Sequence, residues 1–164
     1  MMEGTLVKVG MADLNIAHDG SVLKTTGLGS CVGLALYDPQ LRIGGMAHIM
    51  LPSSDIAREG QLNLAKYADT AVPELLQRMK SKGAITARLI AKMAGGAQMF
   101  AFMGGSDTMR IGPRNVEATK LALAHYSIPL VSEDTGGSYG RTVELSIQTG
   151  IFSIRSVQFG VKEI

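Results

Sequence analysis

Apolar positions in this chain fall mostly in short runs bounded by glycine, proline and polar clusters, the pattern of strands rather than of long helices. Leu6–Val9 and Met11–Ile16 read as two short strands, and Gly20 turns the chain toward a glycine-rich stretch. Val32–Tyr37 is a continuous apolar run that stops at Asp38-Pro39, as a buried strand followed by a turn does. Arg42–Met50 reads as the returning strand, ended by Leu51-Pro52, and Ser53–Gly60 as a polar loop. Helical spacing occurs twice. Leu64–Lys82 places Ala68, Ala71, Val72, Leu75, Leu76 and Met79 on one face. Pro73 inside it predicts a kink or a start near Asp69-Thr70, and Gly83 fits the stop. Gly112-Pro113 opens a second helix running to about Tyr126, with Val116, Leu123 and Ala124 expected inward. Between the helices Ala87–Ala94 reads as a buried strand, and Ala97–Met109 is irregular. After them come a strand at Ile128–Ser132, a loop over Glu133–Gly140, and a hairpin of Thr142–Gln148 and Phe152–Val157 turning at Thr149-Gly150. The expectation is one α/β domain over residues 1–164, with more strand than helix and mixed strand directions.

Composition narrows the function classes. Only 18% of residues are charged, the net charge is +2 and no Lys/Arg run occurs. With no tryptophan either, a base-stacking or phosphate-tracking nucleic-acid surface is not expected. No apolar run reaches the roughly 20 residues needed to cross a bilayer, and the first residues lack a signal-peptide pattern. A single cysteine excludes an intramolecular disulfide and fits a reducing cytoplasm.

That cysteine is the centre of the candidate chemistry. Cys31 follows Thr25-Thr26-Gly27-Leu28-Gly29-Ser30, where glycines leave the backbone approachable, and it leads into the buried run. His48 lies in Gly44-Gly45-Met46-Ala47-His48, toward the end of the returning strand. One strand, a turn and an antiparallel return separate them, so the imidazole can come back beside the sulfur. A free cysteine is often a small buried hydrophobe and a lone histidine often a satisfied core residue. The paired spacing and the glycine approach point instead to a thiol nucleophile with an acid/base. A neighbouring His⁺ would hold the sulfur as thiolate. A histidine base needs an orienting partner. Asp38 sits at a turn and reads as its cap; Thr25 and Thr26, just upstream of Cys31, offer a hydroxyl or carbonyl to the imidazole N–H, although by residue type alone they read as ordinary strand residues. Ser30 and Gly29 belong to the turn, and the N–H groups of Ser30 and Cys31 suit an oxyanion hole. His18 and His125 read as a turn residue and a helix-end residue, and three scattered histidines with one cysteine give no metal-ligand spacing. Gly95-Gly96 and Gly136-Gly137 match no phosphate-binding pattern and read as turns or cleft walls.

Six segments resemble the CheD family, the chemoreceptor glutamine deamidases of bacterial chemotaxis. They are Gly27–Val32, Gly45–Pro52, Lys66–Ala71, Ala94–Phe100, Ile111–Asn115 and Glu133–Gly137, in order along nearly the whole chain. The resemblance implies a three-layer α/β/β sandwich with mixed sheets, related to the catalytic domain of cytotoxic necrotizing factor toxins. It implies hydrolysis of selected glutamine side chains on methyl-accepting chemotaxis receptors in the cytoplasm, with no metal or organic cofactor. The family's Cys-His-Thr triad carries over to Cys31, His48 and Thr25, with Thr26 as the rival for the third place. Phe100 falls in the region the resemblance associates with the CheC phosphatase. Two departures touch partner contact: Pro73, and a longer Ala101–Thr108 stretch carrying Phe102 and Met103. Two other roles fit the same residues: a regulator of CheC with little hydrolysis of its own, and a thiol hydrolase acting on receptor methyl esters.

Overall fold

The apolar run after the cysteine forms strand β4 (Val32–Asp38), and the chain returns antiparallel as β5 (Ile43–Ile49). Every residue of both strands is buried in the computed structural model, which describes residues 5–57, 62–99 and 110–164. They are inner strands of a sheet ordered β2 (Leu14–Ala17), β5, β4, β6 (Ile90–Gly95) and β7 (Leu130–Thr135). A second sheet is ordered β1 (Leu6–Lys8), β3 (Val22–Leu28), β8 (Arg141–Ser146), β9 (Phe152–Ser156) and β10 (Gly160–Glu163). The β1–β3 and β6–β7 pairs are parallel and the other pairs antiparallel, so both sheets are mixed.

Helices α1 (Ala68–Ser81) and α2 (Ile111–His125) cover one face of the first sheet, and the second sheet covers the other. The layers therefore run helix, sheet, sheet. A strand's side chains alternate between faces, and this sorts β4 and β5 cleanly. Val32, Leu34, Leu36, Ala47 and Ile49 pack toward the helices with Val72, Leu75 and Met79. Ala35, Tyr37 and Met46 pack toward the second sheet with Leu23, Val143, Leu145, Ile147 and Phe152. Burying one such Leu or Ile stabilises by about 1.5–3 kcal/mol, so both cores are substantial.

The β4–β5 turn is held by Asp38. Its carboxylate accepts from the Gln40 and Leu41 amides, as the sequence predicts, and also from the Ile85 amide and the Arg88 guanidinium at 2.9 Å. Burial alone would raise the Asp38 pKa, but these donors outweigh it and lower it.

Several boundaries differ from the sequence reading. The first helix begins at Ala68 and carries Pro73 without ending there. The stretch before β6 is a short 3-10 turn, Thr86–Arg88. Strand β7 runs on through Glu133, Asp134 and Thr135, which the sequence suggests are loop, because they pair in parallel with β6. Strand β3 is absent from the pattern reading because Lys24, Thr25, Thr26 and Gly27 break its apolar run; pairing with β8 holds it. Strand β10 is exposed throughout and carries no alternating signal. On α2, Ala124 faces out, and the inward positions are Gly112, Asn115, Thr119 and Leu123.

Candidate active site

Strand β3 brings Thr25 against His48. A one-residue bulge lies between Thr25, opposite Val143, and Leu28, opposite Arg141. It lets two side chains an odd number of positions apart both face inward, and Gly27 adopts the positive φ of 73° that the bulge uses. Thr25 is buried and Thr26 exposed. The Thr25 hydroxyl lies 2.7 Å from Nδ1 of His48 and 2.7 Å from the carbonyl oxygen of Val9. A carbonyl only accepts, so the single hydroxyl hydrogen goes to Val9. Thr25 must then accept from Nδ1–H. This fixes the tautomer of His48 and leaves Nε2 with its lone pair. His48 is fully buried, and Nε2 has no hydrogen-bond partner.

Cys31 occupies the bend directly before β4. His48 stands opposite Gly33 in the β4–β5 register, and Cys31, two residues before Gly33, packs in the same layer between the sheets. Gly33 is the hole in this layer. A Cβ there would lie 2.9 Å from Leu28 Cδ1, 3.1 Å from Val143 Cγ2 and 3.5 Å from Thr25 Cγ2. Glycine lets β3 approach β4 closely enough for Thr25 to reach the imidazole.

The sequence suggests a partly open cleft and a thiolate held by imidazolium. Cys31 is only 8% exposed and His48 not at all. Burial pushes the Cys31 thiol up and the His48 imidazole down. Both shifts favour the neutral pair, because removing charge from water is costly in this layer. The two groups share the layer between the sheets, but no hydrogen bond joins Nε2 of His48 to the Cys31 sulfur. The glycine before Ser30 is not an open approach either: Met99 Cγ lies 3.4 Å from where a Gly29 Cβ would sit. The backbone around Cys31 is tied down, with Gly96 N–H donating to Cys31 O and Ala97 N–H to Gly29 O, each at 2.9 Å. Gly95-Gly96 is thus a wall beside the cysteine, as the sequence allows.

Two groups near this site escape pattern reading. Asn115 of α2 is completely buried and reaches the carbonyls of Ser30 and Met50. Its signal is the spacing of Gly112, Asn115, Thr119 and Leu123, a helical stripe in which two members are polar. Arg141, 3% exposed, pairs with Asp134 at 3.2 Å, reaches Gly95 O and lies 4.2 Å from the Tyr139 ring centre. His18 and His125 are exposed and apart from the site. Among the described residues no group of three or more His, Cys, Asp or Glu could hold a metal, and no helix is long and apolar enough to cross a membrane. Phe100, with Phe102 and Met103, lies outside the described residues.

A thiol, an imidazole with one free nitrogen and a hydroxyl that sets the tautomer are the parts of a thiol-dependent hydrolase built on an α/β sandwich. Residues 50–156 match the family described as CheD chemotactic sensory transduction. A chemoreceptor glutamine deamidase CheD from Halalkalibacterium halodurans is 54% identical over 97% of this chain and 98% of its own length. One from Bacillus subtilis is 47% identical over 99% and 98%. The chain belongs to the CheD family. A Bacillus licheniformis protein of solved structure, the hypothetical protein YfiH, aligns at a TM-score of 0.49 and 14% identity, over 84% of this chain and 62% of its own.

Proposed function

We propose that this chain hydrolyses glutamine side chains of chemoreceptors to glutamate, with Cys31 as nucleophile, His48 as general base and acid, and Thr25 orienting His48. The observation that carries the residue roles is the Val9–Thr25–His48 hydrogen-bond series, which leaves Nε2 as a free base in the layer that holds Cys31. In the first step Nε2 takes the Sγ proton as sulfur bonds to the carboxamide carbon, and the carbonyl electrons move to oxygen. The N–H groups of the Ser30-Cys31 turn suit the resulting oxyanion. As the C–N bond breaks, the proton on Nε2 passes to nitrogen and ammonia leaves. Water then adds to the thioester and gives a proton to Nε2. The C–S bond breaks, and the proton returns to sulfur. The net reaction is carboxamide plus water to carboxylic acid plus ammonia, with no cofactor required.

The relation in fold to the catalytic domain of cytotoxic necrotizing factors is proposed from the family resemblance, and the layer order helix, sheet, sheet is the one that resemblance implies. Family membership supports methyl-accepting receptors as substrates in the cytoplasm and CheC as a further partner, for which Phe100 is the proposed contact. Incubating the protein with a receptor cytoplasmic fragment and measuring peptide masses tests the reading. A gain of about 1 Da per converted glutamine is expected from this acyl-transfer chemistry, absent with Cys31→Ala. No mass change with the wild-type chain, beside unchanged CheC binding, would favour a regulator; loss of methyl groups alone would favour a methylesterase.

A further inference from the structure

The nucleophile's loop and the end of the histidine strand are joined by a residue that belongs to neither. Asn115 Nδ2 donates to Ser30 O at 2.9 Å and to Met50 O at 3.0 Å. Ser30 directly precedes Cys31, and Met50 follows His48 by two positions. A side-chain amide has two N–H donors, and here both are engaged. The reversed amide would aim Oδ1 at two carbonyl oxygens, so its orientation is fixed. Oδ1 is buried with no partner. An orphaned buried acceptor is destabilising and offsets much of what the two bonds contribute, so stability alone is a poor account of this group. What it does supply is geometry. In a trans peptide the carbonyl and the following N–H point in opposite directions, and the described residues contain no cis bond. Pinning Ser30 O therefore sets the direction of the Cys31 N–H.

We propose that Asn115 is a positioning residue for deamidation: by clamping Ser30 O and Met50 O it aims the Cys31 N–H at the oxyanion formed when Cys31 attacks. The inference rests on Cys31 being the nucleophile, as proposed above. It separates two reactions of the same thiol. Attack on a carboxamide builds an oxyanion, whereas alkylation by iodoacetamide does not use that donor. Losing the clamp should impair the first and spare the second.

Asn115→Leu removes both donors at similar volume, and Thr119→Val alters the same buried stripe one turn on, where Thr119 Oγ1 donates only to Asn115 O. Turnover and KM on a receptor fragment, the rate of Cys31 alkylation against pH, and thermal melting are measured for both. For Asn115→Leu a fall in kcat of roughly 10- to 100-fold is expected, below the loss for deleting an oxyanion donor outright. KM should change little, and the alkylation profile should match wild type. Thr119→Val should keep wild-type kcat whatever its melting temperature. Wild-type kcat in Asn115→Leu overturns the proposal. So does an alkylation rate that falls along with kcat, since that marks collapse of the thiol–imidazole pair. If Asn115→Leu does not fold, Asn115→Ser carries the same comparison with one donor retained. Full activity in Cys31→Ala would instead sink the assignment of the nucleophile, a distinct result.

Discussion

The two faces of strands β4 and β5 are built from alternate residues of the same two strands, yet they obey different rules. Toward the helices the side chains are Val, Leu, Ile and Ala, closely packed, and the polar one at the turn end, Asp38, has both carboxylate oxygens hydrogen-bonded. Toward the second sheet the same strands carry a glycine where a Cβ would crowd Leu28 and Val143, and a fully buried histidine with an unpartnered nitrogen, in the layer that also holds the thiol preceding β4. Burying an unpaired polar group destabilises a core, so the second face gives up stability that the first supplies. The alternation lets one strand pair do both, because adjacent residues never share a face.

Substitutions on the two faces should break in opposite ways. Cys31→Ala should abolish deamidation and barely move the melting temperature, while Leu34→Ala should cost about 2–5 kcal/mol of stability and leave turnover per folded molecule intact. Mass spectrometry beside thermal melts reads both. Activity surviving in Cys31→Ala would erase the distinction between the faces.

Thr25→Val should lower kcat by roughly 10- to 100-fold, the scale on which losing an outer partner of a functional histidine is felt. It leaves Nδ1–H and Val9 O unpaired and frees the tautomer. Thr26→Val should stay near wild type, since that side chain is exposed. Equal effects from the two would mean that something other than the Thr25 hydroxyl orients His48.

The smallest effect concerns pH. Burial lowers the His48 pKa and raises that of Cys31, and the working forms are neutral imidazole and neutral thiol. The acid limb of kcat/KM should therefore lie below the usual imidazole range, where Nε2 finally protonates. The alkaline limb should lie above the usual thiol range, where the pair loses its proton. Thiolate absorbance from Cys31 at neutral pH would indicate an ion pair at rest.

Much of this arrangement was legible in the residues. The run Val32–Tyr37, the Asp38-Pro39 turn and the glycines near His48 are local signals, and they led to a strand pair that returns the histidine toward the cysteine. Choosing between Thr25 and Thr26 was beyond the pattern. The choice depends on a bulge in a ladder between β3 and β8, more than a hundred positions apart in the chain. Asn115 ends one of the segments that resemble the family, but its inward placement is illegible for a different reason. A polar residue on an amphipathic helix reads as solvent-facing, and only its two carbonyl partners, supplied by distant segments, turn it inward. Ala124, expected inward, faces out for the converse reason, since a small apolar residue sits as readily in water as in a core.

The burial of Cys31 also bears on how long the protein lasts. Peroxides oxidise the thiolate, and sulfinic and sulfonic products are not recovered by ordinary reduction. Cys31 is only 8% exposed, and burial pushes its thiol pKa up, so it offers oxidants little thiolate to attack. In the proposed mechanism the thiol becomes nucleophilic only while His48 holds its proton, with an electrophile already seated. The same desolvation that delays ionisation of this single cysteine should therefore slow its irreversible oxidation, which the rate of sulfinic acid formation in peroxide would measure.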